Sequence, residues 1–191
     1  VLTVEGLDRA LLAGALGAII GIGFIYSTRA ISGTADLDLN RTRETSLEYG
    51  YKVVLLNSLH SASEGVAIGV AMVVSLELGI FMALALAVHN IPEATTLCAV
   101  LRSRGVRLGD AVGLAVTTNV SQVLLAVITF AIVSAAPAVL SWSLGFAIGA
   151  LIYLVMVDLL PESYRRAGHT SIALLTSVAM GVVVLLKGFL A

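Results

Sequence analysis

Six runs of about 20 apolar residues dominate the chain, over about 10–31, 49–74, 79–101, 110–134, 139–161 and 169–190. A run of that length matches the hydrocarbon thickness of a bilayer. No water inside that layer can satisfy a loose backbone group, so each run has to be a helix. With 59% hydrophobic and 12% charged residues and a mean hydropathy of +1.03, the chain is far more apolar than a soluble core requires. The expected fold class is all-α: a polytopic membrane helical bundle with six transmembrane helices, forming a single transmembrane domain over residues 1–191. The longest link, "SGTADLDLNRTRETSLE" at 32–48, is polar; the links "SLEL", "RSRGVRLG", "SAAPA" and "SYRRAGH" are short.

Charge gives the chain a direction. Nine of the 11 Lys and Arg residues fall at three links and their flanking helix ends: Arg29, Arg41, Arg43, Lys52, Arg102, Arg104, Arg107, Arg165 and Arg166. Only Arg9 and Lys187 lie on the other side. By the positive-inside rule the 32–48, 102–109 and 163–169 links are cytoplasmic and both termini are extracytoplasmic. The expected location is a cell membrane, the inner membrane of a prokaryote. Glu5, Asp8 and Arg9 make a poor basic leader, so no cleaved signal peptide is expected. A net charge of −1 offers nothing to nucleic acid, and the lone Cys98 excludes an intrachain disulfide.

Against this apolar background two polar stripes stand out. "LHSASEGVAIG" places Asn57, His60, Ser61 and Glu64 at offsets that share one helix face, and "VHNIPEATTL" does the same for His89, Asn90 and Glu93. Folding the two runs back about their short link sets His60 at the depth of Glu93 and Glu64 at the depth of His89. A further fold brings Asn119 and Gln122 to a similar depth. Charged groups at mid-membrane are costly and functional by default. A single His/Glu pair is an ordinary hydrogen bond between helices; two matched pairs at one depth point to a divalent cation. Imidazole and carboxylate suit Zn2+ best and also accept Cd2+, Fe2+ or Mn2+. Pro92 has no N–H, which leaves the carbonyl of Val88 free beside His89.

The neutral groups Ser61, Asn90, Asn119 and Gln122 make a possible secondary site. They carry no charge to compensate a second ion, so one tightly held ion per chain is expected. Asp158 and Glu162, near the end of the fifth run, either line a pathway or cap a solvated helix end. Cys98 reads as a small buried hydrophobe and His169 as a solvated link residue. Gly17 and Gly21 form a small-xxx-small face for close helix packing. A metalloprotease would need two His one turn apart with a Glu between them. A di-iron bundle would need Glu-x-x-His. The chain has neither, so no enzyme is expected.

At these residues the chain resembles the ZIP (Zrt-, Irt-like protein) family of divalent-metal transporters. "HSASEG" resembles the family's H-N-x-x-E-G motif, "HNIPEA" its H-N-x-P-E-G motif, and "GALIYLVMVDLLPES" its penultimate helix. The resemblance implies that the six runs correspond to the third to eighth of eight family helices. It further implies His60, Glu64, His89 and Glu93 as ligands to a transported metal, most simply Zn2+ moving toward the cytoplasm. Runs two to four would form a moving unit, and the others a scaffold that makes a homodimer. The alternative is a non-transporting metal-binding subunit, or a truncated carrier that needs a partner or the two preceding helices. Ser61 stands where the family often has Asn, and Gln122 where many members have the Glu of a second metal site.

The orientation has a direct test. A Thr45→Cys variant in intact cells is expected to react with a membrane-impermeant thiol reagent only from the cytoplasmic side, and labelling from outside would reverse the topology.

Overall fold

A computed structural model of the protein describes residues 4–32 and 47–190. Among these residues every regular element is helical: α1 (Val4–Ser32), α2 (Leu47–Val74), α3 (Leu76–Ser103), α4 (Leu108–Ala135), a 3-10 turn (Pro137–Val139), α5 (Leu140–Leu154), a π turn (Val155–Leu159) and α6 (Leu160–Leu190). Most of the expected cytoplasmic link over 32–48 lies outside the described residues. The chain divides into two compact units, one ending at Leu151 and one beginning at Ile152.

Among the described residues, five stretches are long and apolar enough to cross a membrane: Gly6–Ala30, Leu76–Ser103, Leu108–Ala135, Pro137–Val157 and Ala167–Leu185. The protein is therefore an all-α polytopic membrane bundle. The 28 residues of α2 span about 42 Å, and its middle carries Asn57, His60, Ser61, Ser63 and Glu64.

The first unit buries polar side chains beside its small apolar core and exposes large apolar ones. Its buried side chains include Ser61, Ser63, Glu64, Thr118, Gln122 and Thr129. Its exposed ones include Leu84, Val88 and Ile91 on α3, and Val116, Val120, Val123 and Val127 on α4. That is the arrangement a hydrocarbon solvent favours. α2 packs most extensively on α4 and next on α3.

Helices in lipid gain little from burying apolar surface, so small residues that admit close backbones decide where they meet. Gly65 of α2 lies against the backbone of Gln122, and Gly69 against Ala126 and Phe130. Gly17 and Gly21 of α1 lie against Trp142, Phe146 and Ala150 of α5; Gly145 and Gly149 return the contact onto Gly14 and Ala18. The small face expected on α1 is thus matched by a second one on α5. Phe24 and Phe146 stack beside this seam, ring centroids 5.6 Å apart.

The turns are tighter than the apolar runs imply. Only Ser75 separates α2 from α3, where the sequence suggests a link of four residues. Its side chain accepts a hydrogen bond from the Leu78 amide at 3.1 Å, capping α3, and Glu77 sits favourably in the first turn. α3 ends in a Schellman motif: Val106 N–H reaches the carbonyl of Leu101, and Gly105 N–H that of Arg102. Gly105 has φ +83°, a left-handed conformation that suits glycine. Val106 packs on the adjoining cluster of Leu97, Leu101, Ala111 and Ala115.

In the second unit, residues 162–168 are largely helical rather than an open link; the break is at Gly168, with φ 76°. The π turn precedes Pro161. There the Leu160 N–H bonds to Val155, five residues back, immediately before a residue that has no N–H to give.

The close α2–α4 contact yields a stability prediction. Gly65→Leu drives a side chain into the Gln122 backbone and is expected to cost about 1–3 kcal/mol or more. Gly23→Leu, with nothing within 4 Å of its added carbon, should stay within about 0.5 kcal/mol of the parent. Thermal unfolding in detergent micelles compares the two; equal losses would remove the packing argument.

Candidate metal centre

His60 and Glu64 lie one turn apart on α2, with Nε2 of the histidine 3.4 Å from Oε1 of the carboxylate. His89 comes from α3, and its Nε2 approaches the same oxygen at 3.7 Å. Glu93 lies one turn further along α3. One ligand atom from each of the four residues lies within 4.8 Å of all the others. Donors around a tetrahedral ion with bonds of about 2.0 Å are about 3.3 Å apart, so a modest contraction closes the set on one ion. Two neutral imidazoles and two carboxylates carry a formal charge of −2, which balances a divalent cation. Glu64 is 1% exposed. The side chains of His60 and His89 are 23% and 37% exposed, which leaves the cluster open on their side.

An outer layer of amides and hydroxyls surrounds this cluster. Gln122 Nε2 donates to Glu64 Oε2 at 3.2 Å, and Asn90 Nδ2 donates to Gln122 Oε1 at 2.7 Å. Asn57 donates to Thr118 Oγ1 at 3.1 Å. The Ser121 hydroxyl reaches the carbonyls of Ser58 and Thr118, each at 2.7 Å, so α2 and α4 are joined by a second polar contact. Four buried oxygens lack a hydrogen-bond partner among the described residues: Ser61 Oγ, Asn90 Oδ1, Glu93 Oε2 and Asn119 Oδ1. Buried oxygens are rarely left so.

The structure brings His60, Glu64, His89 and Glu93 together, with Gln122 bonded to Glu64, Asn90 to Gln122 and Asn57 to Thr118. Ser61 Oγ and Asn119 Oδ1 are buried with no hydrogen-bond partner among the described residues. The side chains of Asp158 and Glu162 lie outside those described. α3 runs through Pro92 without interruption. Cys98 is a free thiol packed against the Leu97–Leu101 cluster. His169 stacks on Tyr164 in the second unit, with centroids 4.7 Å apart.

Sequence reasoning passed over Thr118, Ser121 and Gly65. For Thr118 the signal was present: Ala111, Ala115, Thr118, Gln122, Thr129 and Val133 are the buried residues of α4, and they fall on a stripe at helical spacing. That stripe is small or polar on a helix otherwise full of Val and Leu.

A family model described as ZIP zinc transporter matches residues 36–187. A putative zinc transporter of Arabidopsis thaliana is 35% identical over 134 residues, covering 68% of this chain and 22% of the relative. The zinc transporter GufA of Myxococcus xanthus is 35% identical over 113 residues, covering 59% and 44%. The zinc transporter ZIP13 of Pongo abelii is 29% identical over 122 residues, covering 62% and 37%. The chain thus spans less than half the length of each of these relatives. No solved structure matches it significantly. By the family match over most of its length, the chain belongs to the ZIP zinc transporter family, whose members are transporters and not enzymes.

Proposed function

We propose that this chain binds a divalent metal ion, Zn2+ foremost, through His60, Glu64, His89 and Glu93, and carries it across a cell membrane toward the cytoplasm. The observation that carries the reading is the convergence of those four ligand atoms within 4.8 Å, in helices whose outward faces are apolar. A hydrated ion cannot enter hydrocarbon unaided. The four side chains replace its water with two nitrogens and two anionic oxygens, at a point where the protein must compensate charge in any case. The relatives' names, all zinc transporters, support the choice of zinc. Cd2+, Fe2+ and Mn2+ accept the same donor types less well matched to their preferences. The direction rests on the family resemblance, and the arginine-rich links support an orientation with three loops in the cytoplasm and both termini outside. The scaffold helices of the family also imply a homodimer.

The roles divide by position. Glu64 is nearly enclosed and supplies the anionic anchor. His60 and His89 are more exposed and form the face across which an ion enters or leaves. Glu93 completes the charge balance from α3.

Two measurements test this. Titration of the purified chain with Zn2+ is expected to lose at least about 100-fold in affinity on Glu64→Ala or Glu93→Ala, while Cys98→Ala leaves it unchanged. Normal binding by both carboxylate variants would discard the site. Reconstituted in liposomes, the chain is expected to raise Zn2+ entry above empty vesicles, and Glu64→Ala should abolish that gain. Binding without entry would discard transport by this chain and leave the metal site standing.

A further inference from the structure

The four-residue cluster leaves one buried group unaccounted for. Gln122 is 6% exposed and belongs to α4, which contributes no charged ligand. An amide has a donor end and an acceptor end, and here both are committed. Glu64, as a carboxylate, only accepts. It therefore turns the NH2 of Gln122 toward its Oε2, at 3.2 Å. The Gln122 carbonyl then faces Asn90, which must present its own NH2, at 2.7 Å. Reversing either amide would set acceptor against acceptor. The polarity of the chain of bonds is thus fixed by the charge on Glu64.

The consequence falls on the two oxygens of that carboxylate. Oε1 is the atom nearest both imidazoles, at 3.4 Å and 3.7 Å. Oε2 is the atom held by the amide. The amide occupies one lone-pair direction of Oε2, so a two-oxygen grip by Glu64 on one ion is disfavoured while that bond stands. Backing α4 away does not relieve this, because Gly65 already lies against the Gln122 backbone, and the Asn57–Thr118 and Ser121–Ser58 contacts hold the two helices together.

We propose that Gln122 is a specificity-determining positioning residue, whose amide restrains Glu64 to one-oxygen coordination and so favours a four-coordinate ion such as Zn2+ over an ion that prefers six oxygen-rich ligands, such as Mn2+. The inference rests on the metal-site reading above. Gln122 touches no metal in this role; it acts through Glu64. Zn2+ accepts four donors in a tetrahedron without strain, whereas Mn2+ favours an octahedral shell richer in oxygen.

The test compares the parent chain, Gln122→Met and Asn90→Leu in detergent, each titrated with Zn2+ and with Mn2+. Co2+ serves as a visible probe, because its absorption is intense at four-coordination and weak at six. The parent is expected to give the intense Co2+ spectrum and to prefer Zn2+ strongly. Gln122→Met should narrow the Zn2+/Mn2+ affinity ratio by about tenfold and weaken the Co2+ bands. Asn90→Leu keeps Gln122 but frees its amide to turn, so it should shift both readouts the same way and by less; it decides the matter if Gln122→Met fails to fold. An unchanged ratio and spectrum in the folded variants would overturn the proposal. An equal loss for both metals would also overturn it, by reducing Gln122 to structural support. A parent chain that binds neither ion would overturn the metal-site reading itself, and this inference with it.

Discussion

A carboxylate with 1% of its surface exposed, midway along a helix in a membrane protein, has to be compensated by what surrounds it. Glu64 draws that compensation from three helices: His60 on its own helix, His89 from α3 and the Gln122 amide from α4. The rest of the first unit follows from the need to bring these groups within reach. α4 must approach until its backbone meets α2, which a side chain at position 65 would prevent. α3 must return directly alongside α2, which the capped turn at Ser75 achieves. Large apolar residues such as Leu84, Val88 and Val123 occupy the outside, and lipid is a suitable solvent for them.

This arrangement explains which parts of the protein were legible from sequence. His60, Glu64, His89 and Glu93 were, because a four-residue interval places two side chains on one helix face whatever the tertiary structure, and a short turn fixes which residues share a depth. The depth of Gln122 was legible for the same reason, whereas the direction of its amide was not. That direction depends on the rotation of α4 and on the charge it faces, both set by contacts between residues more than 50 positions apart. Gly17 and Gly21 announced a close-packed face on α1, but nothing local named α5 as its partner.

The helix ends were misjudged for a different reason. Glu77 interrupts the hydropathy of "SLEL", and Glu162, Arg165 and Arg166 interrupt that of the stretch before Gly168, yet both segments are helical. Hydropathy reports which solvent a residue prefers, while helix boundaries follow caps and backbone conformation. Ser75 and Gly168 were the informative residues at those ends, and both are small and easily overlooked beside charged neighbours.

The one-residue connection between α2 and α3 has a mechanical side. With Ser75 extended and both flanking helices hydrogen-bonded up to it, the pair has almost no slack for sliding along its common axis. What remains is tilt, like the blades of scissors about a rivet. Glu64 stands about 16 Å from that pivot at 1.5 Å per residue, so opening the blades by ~10° would part the two halves of the His/Glu cluster by ~3 Å. A displacement of that size exceeds the length of a metal–ligand bond. The lever arm converts a small angular change at the turn into the difference between a closed ligand set and one split between two helices.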